Sequence, residues 1–108
     1  MSVSIDDFGK VEMRVGKIIS VDDIPTARKP MYRMTIDFGG ATKQCVGGIK
    51  DFYTQDQLIG KTVVAVVNLP PKSVAGVASE CMLLAAFNDD VVSLLSPDRE
   101  LPLGTRVG

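Results

Sequence analysis

Met31-Tyr-Arg-Met-Thr-Ile-Asp-Phe38, followed by Gly39-Gly40 and then Lys43-Gln-Cys-Val46, decides the fold class. Tyr32, Met34, Ile36 and Phe38 alternate with Met31, Arg33, Thr35 and Asp37, a period of two that places one apolar set on one face of a strand. The glycine pair turns the chain and Lys43–Val46 starts the return, so residues 31–46 read as a β-hairpin. Gly47-Gly48 ends it. On the N-terminal side, Val11, Met13 and Val15 keep the same alternation, and Ile18 and Val21 extend it. Gly16 interrupts this first strand and predicts a bulge or sharp bend there. A long first strand with a bend is what closing a small barrel requires. Ser4 followed by Ile5, Asp6, Asp7 and Phe8 predicts a one-turn helix stopped by Gly9.

On the C-terminal side, Thr54 is a natural N-cap for a short helix over 55–58, closed by Gly60. Thr62–Leu69 is continuously apolar and reads as a strand buried on both faces, ended by Pro70-Pro71. Lys72–Ser79 reads as a small-residue loop, Cys81–Phe87 as a second buried strand, and Val91–Leu95 as its return after Asn88-Asp89-Asp90. Thr105–Val107 suggests a short edge strand. Three strands, a short helix and two more strands make an all-β, five-stranded Greek-key barrel of the OB type, with added C-terminal strands. An SH3-like barrel is the alternative, and the helix between strands three and four favours OB. One domain spans 1–108.

The 108 residues are 45% hydrophobic and 23% charged, a globular composition. No apolar run reaches the roughly 18 residues needed to span a bilayer, so no membrane insertion is expected. MSVSIDDF has neither a basic n-region nor an apolar h-region, so no signal peptide is expected and a cytoplasmic location is the default. The absence of His and Trp removes imidazole catalysis and imidazole metal ligation. Cys45 and Cys81 lie 36 positions apart without a CxxC, so neither a zinc ribbon nor a dithiol redox motif is present. They read as two buried, reduced thiols. Asp6-Asp7, Asp22-Asp23 and Asp89-Asp90 sit in turns, where Asp bonds its own backbone. Ser79 and Cys81 flank Glu80 without a base to activate them. No catalytic residue, cofactor or metal is assigned.

The net charge is −1, yet the charge is uneven. Residues 24–50 carry Arg28, Lys29, Arg33, Lys43 and Lys50 against Asp37 alone, a net of +4, while residues 1–23 carry −2. These five cations, with Asn68, Lys72 and Ser79 from the loops, form the one constellation suited to nucleic acid. Lys and Arg neutralise phosphates; Asn and Ser bond at sugar and base edges. Only six aromatic residues are present, which favours recognition of a folded RNA's backbone over base stacking. A domain this small buries only about 60–65% of its unfolded surface. With a mean hydropathy of +0.19 and Val91, Val92, Leu94, Leu95, Leu101 and Leu103 in its last third, it is expected to dimerise through residues 88–108.

FGKVEMRVGKI (Phe8–Ile18), KQCVGGI (Lys43–Ile49), VVNLPPK (Val66–Lys72), GVASECMLLAA (Gly76–Ala86) and SPDRELPLGTRV (Ser96–Val107) resemble the structure-specific tRNA-binding domain. That family comprises stand-alone dimers, the C-terminal domain of methionyl-tRNA synthetases and related synthetase-associated polypeptides. Ala27–Gly39 and Pro70-Pro71 look more like its export-related chaperone branch, the CsaA type. The resemblance implies an OB-fold homodimer that clasps the outer corner of L-shaped tRNA, with binding elements on Lys43, Asn68, Lys72, Ser79 and Met82. Gly48 stands where the family usually has Ser, and Glu80 where it usually has Gln; an acid at that place repels phosphate. The chaperone branch implies unfolded polypeptides as ligands instead. A third implied role is that of accessory tRNA-binding subunit to a methionyl-tRNA synthetase.

Overall fold

The computed structural model describes Met1–Gly108. The element order is α1 (Ile5–Gly9), β1 (Met13–Asp23), β2 (Tyr32–Asp37), β3 (Thr42–Gly47), α2 (Gln55–Leu58), β4 (Thr62–Val66), β5 (Lys72–Val74), β6 (Val77–Ser79), β7 (Met82–Leu83), β8 (Ala85–Phe87), β9 (Val92–Leu94) and β10 (Arg106–Val107). The main sheet runs β3-β2-β1-β4-β7, with β10 added to β1. Its five-strand path, with α2 between β3 and β4, is the expected OB-like barrel. No helix is long and apolar enough to cross a membrane.

β1 is the spine. Its first half pairs with β4 from Met13↔Val66 to Lys17↔Thr62, and it pairs with β2 from Lys17↔Asp37 to Asp23↔Tyr32. A strand shared in this way must curl, and the register slips between Ile18 and Ser20. The bulge is therefore at Ile19 and not at Gly16. Gly16 serves another purpose: a Cβ there would lie 2.6 Å from Ile36 Cγ2 and 2.7 Å from Phe38 Cε1. The glycine lets the Phe38 ring lie against the strand. Val11 lies outside β1 and is exposed.

The barrel is filled from all sides by Ile18, Met34, Ile36, Val63 and Ala65, each with 0% exposure, and plugged at one end by Leu58. Burying side chains of this size stabilises by roughly 1.5–3 kcal/mol each. Leu58 is placed by a complete capping box: Gln57 N donates to Thr54 Oγ1 (3.2 Å) and Thr54 N to Gln57 Oε1 (2.8 Å).

Three strand expectations change. Lys72–Ser79 is a β-hairpin, β5–β6, whose turn residues Ala75 (φ 51°) and Gly76 (φ 80°) both have positive φ. That is the backbone a two-residue hairpin turn needs. Cys81–Phe87 is two short strands with different partners: β7 pairs with β4, and β8 with β9. Ala86 and Phe87 are consequently exposed. β4 stops at Val66, where the Val67 amide turns to the Glu12 carbonyl (2.9 Å).

The two chain ends are tied down by a few polar groups. Asn68 bridges the N-terminal segment: its Oδ1 accepts from Glu12 N (2.9 Å) and its Nδ2 donates to Lys10 O (2.7 Å). Gly104 N donates to Val15 O (2.7 Å) and Val15 N to Thr105 O (2.9 Å). Gly104 has φ +90° and faces the Phe38 carbonyl. Gly104→Ala combines a strained φ with a backbone clash, and it should lower unfolding free energy by roughly 2–4 kcal/mol in urea titrations. Gly40→Ala, where an added Cβ meets nothing within 4 Å, is the matched control and should change little. Asn68→Ala should cost about 1–2 kcal/mol and should speed hydrogen exchange at the Glu12 amide selectively, leaving the β2–β3 amides protected.

Candidate nucleic-acid interface

The site is built around the seam where β3 meets residues 78–81. No regular ladder joins them. The Glu80 amide donates to the Gln44 carbonyl (2.7 Å), and the Gln44 amide donates to Glu80 Oε1 (2.9 Å). Gln44 Nε2 reaches Ala78 O (2.8 Å), and the Val46 amide donates to Ser79 Oγ (3.0 Å). Ser79 Oγ in turn donates to Cys81 O (3.3 Å). Side chains thus replace the missing strand hydrogen bonds and close the barrel.

A cavity of 910 Å³ opens beside this seam. Its walls are Val46–Ile49 on one side, Leu69–Val74 on another, and Ser79–Leu83 with Ala85 and Leu94 on the third. Lys72 and the exposed Met82 stand at the rim, and Cys45 and Cys81 lie in the floor. The two thiols interact. The hydrogen bond with Cys81 draws the Cys45 thiol below its ordinary value, although burial opposes it. The same bond, followed by burial, pushes Cys81 up.

A second cavity of 590 Å³ shares no lining residue with the first; the chain passes from the wall of the first at Gly48 and Ile49 to the wall of the second at Lys50 and Asp51. Arg28, Lys29 and Lys50 line it together with Asp23 and Asp51. Lys50 Nζ is 3.0 Å from Asp23 Oδ1 and 5.9 Å from the centre of the Tyr32 ring. Arg33 pairs with Asp22 at 3.5 Å. The sequence run that reads as +4 therefore meets the acids of 22–23 and 51 in space. Lys43, on β3, lies near enough to Cys81 to favour its thiolate.

The nine expected RNA-contacting residues thus divide. Arg28, Lys29 and Lys50 come together, Arg33 sits beside them on β2, and Lys43, Lys72 and Met82 gather at the seam and its groove. Asn68 and Ser79 have their polar atoms engaged within the chain. Glu80 is half-buried and its carboxylate is held by a backbone N–H, so it does not project into the groove as a free acid. Sequence reading missed Gln44 as its partner; a polar residue between Lys43 and the buried Cys45 was the available signal. Of the expected dimer residues, Leu94 is 7% exposed and belongs to the core of a single chain. Its amide donates to Tyr53 Oη (3.1 Å), which ties β9 to the barrel. Val92 and Leu103 are half-buried, and Val91, Leu95 and Leu101 are exposed.

Residues 13–106 match the family described as "Putative tRNA binding domain". Over 105 residues the chain is 43% identical to methionine–tRNA ligase of Methanococcus maripaludis, a match that covers 97% of this chain and 16% of that enzyme. The chain therefore spans only a small part of the length of the curated relatives it matches. Among solved structures it is similar to the CsaA chaperone protein of Picrophilus torridus, with a TM-score of 0.92 and 39% identity over 99% of this chain and 100% of the other. It is also similar to a MetRS-related protein of Pyrococcus horikoshii, with a TM-score of 0.91 and 35% identity over 100% and 99% of the two chains. A barrel closed at the β3 seam, a groove beside that closure and a match over nearly the whole chain agree: the protein belongs to the tRNA-binding domain family.

Proposed function

We propose that this chain binds folded RNA of the tRNA class without catalysing a reaction on it, and does so as a homodimer in the cytoplasm. The observation that carries the reading is a pair of cavities whose walls follow one another along the chain at Ile49 and Lys50, one bordered by Arg28, Lys29 and Lys50 and the other by Lys72 and Met82. A face of this kind suits phosphates presented at fixed spacing by a folded backbone. Asn68 and Ser79 shape the face through their bonds within the chain, and each keeps a further acceptor or donor site for RNA.

The dimer reading rests on Val91, Leu95 and Leu101, with Val92 and Leu103 behind them; Phe87 is 80% exposed nearby in sequence. Uncovered apolar groups of this number on a small domain mark an interface.

A second reading, capture of unfolded polypeptide, is favoured by the apolar walls of the larger cavity, Leu69, Pro70, Val74 and Leu83. A third, an accessory role beside a methionyl-tRNA synthetase, is favoured by the relatives that carry this domain within that enzyme. Co-migration with such a synthetase tests it.

In filter binding, log K for tRNA should fall linearly with log salt. Lys43→Ala and Lys72→Ala should each reduce that slope by about 1 and weaken different tRNAs by similar factors. Absence of tRNA retention at low salt overturns the main reading. Leu95→Asp with Leu101→Asp should convert a dimer to a monomer in sedimentation equilibrium while leaving the far-UV circular dichroism unchanged. If polypeptide is a ligand of the same groove, suppression of aggregation of a denatured client should be lost when tRNA is added.

A further inference from the structure

Asp23 is the last residue of β1, and its Cα is paired with that of Tyr32 across the β1–β2 ladder. Two donors from outside that ladder converge on one of its carboxylate oxygens. Lys50 Nζ lies 3.0 Å from Asp23 Oδ1, and Gln55 Nε2 donates to the same oxygen at 3.4 Å. Lys50 has a second anchor, the buried Tyr32 ring, whose centre is 5.9 Å from Nζ, and this contact does not involve the acid. The smaller cavity opens here, with Arg28 and Lys29 on its wall beside Asp23, Lys50 and Asp51. Three cations thus face two acids, and Asp51 pairs with none of them. An ammonium and an amide N–H directed at one oxygen form a donor set that also suits a phosphate oxygen.

We propose that Lys50 and Gln55 form a phosphate subsite, and that the Asp23 carboxylate occupies it until an RNA phosphate displaces it. The inference rests on the reading of this chain as an RNA binder and names one point of contact within that reading. Asp23 presents one oxygen to the two donors, as the non-bridging oxygen of a phosphodiester would. The Asp23 side chain is 53% exposed and that of Lys50 40%, so the pair is open to solvent and weakly held. The ladder fixes the Asp23 backbone, so displacement requires rotation of one short side chain and no movement of the strand. Lys50 keeps its place over Tyr32 when the acid departs. A phosphate backbone entering the cavity also meets Arg28 and Lys29 on its wall, neither of which pairs with Asp23. That is its advantage over the resident carboxylate. While Asp23 stays in place, Lys50 neutralises the acid and not a phosphate, so Asp23 also subtracts one cation from the salt dependence of binding.

Asp23→Asn removes the charge and keeps the size of the side chain. In filter binding at low salt it should tighten tRNA about three- to fivefold and steepen the fall of log K with log salt by about 1. Asp6→Asn makes the same change of net charge at an exposed carboxylate that lines neither cavity and pairs with no cation, and it should leave both quantities unchanged. The double variant Asp23→Asn, Lys50→Met should bind no better than Lys50→Met alone. Gln55→Ala should weaken the Asp23→Asn protein about two- to threefold. The proposal is overturned if Asp23→Asn binds no tighter than Asp6→Asn, if its gain survives Lys50→Met, or if Gln55→Ala has no effect on it. Chromatography on phosphocellulose separates this outcome from the fate of the proposed function. Should the wild-type chain retain no tRNA, that function falls, yet Asp23→Asn should still leave the phosphate matrix at higher salt than the wild type. Elution of the two at the same salt overturns the subsite.

Discussion

The closure between Gln44 and Glu80 is the constraint on which the rest of the molecule depends. A five-stranded sheet that follows the order β3-β2-β1-β4-β7 ends in two free edges, and an open edge pairs with whatever strand it meets. Here β3 and the 78–81 segment approach without the register of a ladder. One backbone bond and three side-chain bonds, from Gln44, Ser79 and Glu80, take its place. The Glu80 carboxylate accepts from a backbone N–H, and a charge-assisted bond of this sort contributes about 1.5–3 kcal/mol. An acid at this position is thereby a structural acceptor, and its negative charge is partly spent before any phosphate arrives.

The same closure positions the face. Because Ser79 and Glu80 are drawn onto β3, the β5–β6 hairpin leans over the barrel's open side and carries Lys72 to the groove rim. Lys72 is paired in register with Ser79, so the hairpin cannot shift without breaking the seam. Asn68 works at the other end of the same connection by fixing the N-terminal segment against the end of β4. Polar residues in loops can serve a ligand or the fold. Here both have partners within the chain at 2.7–3.0 Å, so each serves the fold whatever else it contacts.

What could be read in advance follows from how local each signal is. The α2 helix is set by four consecutive residues, and its cap and end appear where Thr54 and Gly60 predict. β2 shows its alternation because one of its faces is wholly buried. The β5–β6 hairpin hides because its turn puts Ala75 at positive φ, a conformation that no sequence rule assigns to alanine. The sequence reading places the bulge at Gly16, whereas it lies at Ile19 and Gly16 makes a close approach instead. The need for glycine at 16 depends on where Phe38 lies, and that contact crosses more than twenty positions. Leu94 was grouped with its apolar neighbours, yet β9 alternates, and alternation alone places 94 inward with 93 and 95 outward. That pattern was present in the sequence and outweighed by the apolar content of the segment.

Charge shows the largest difference between chain order and space. The run from 24 to 50 carries five cations and one acid, but the antiparallel register sets Asp22 opposite Arg33 and Asp23 opposite Tyr32. Two acids from the preceding net-negative segment therefore enter the basic patch as a consequence of strand pairing. Their ion pairs with Arg33 and Lys50 involve side chains 40–57% exposed. Pairs this open contribute about 0–1 kcal/mol, so a phosphate with several oxygens competes with them at little cost. The carboxylates then keep the cations ordered and the free surface nearly neutral, which suits a protein of net charge −1 that must not gather every polyanion it meets. On the proposed function, a folded RNA is favoured because a backbone that reaches both cavities gathers more phosphate contacts to displace the internal acids.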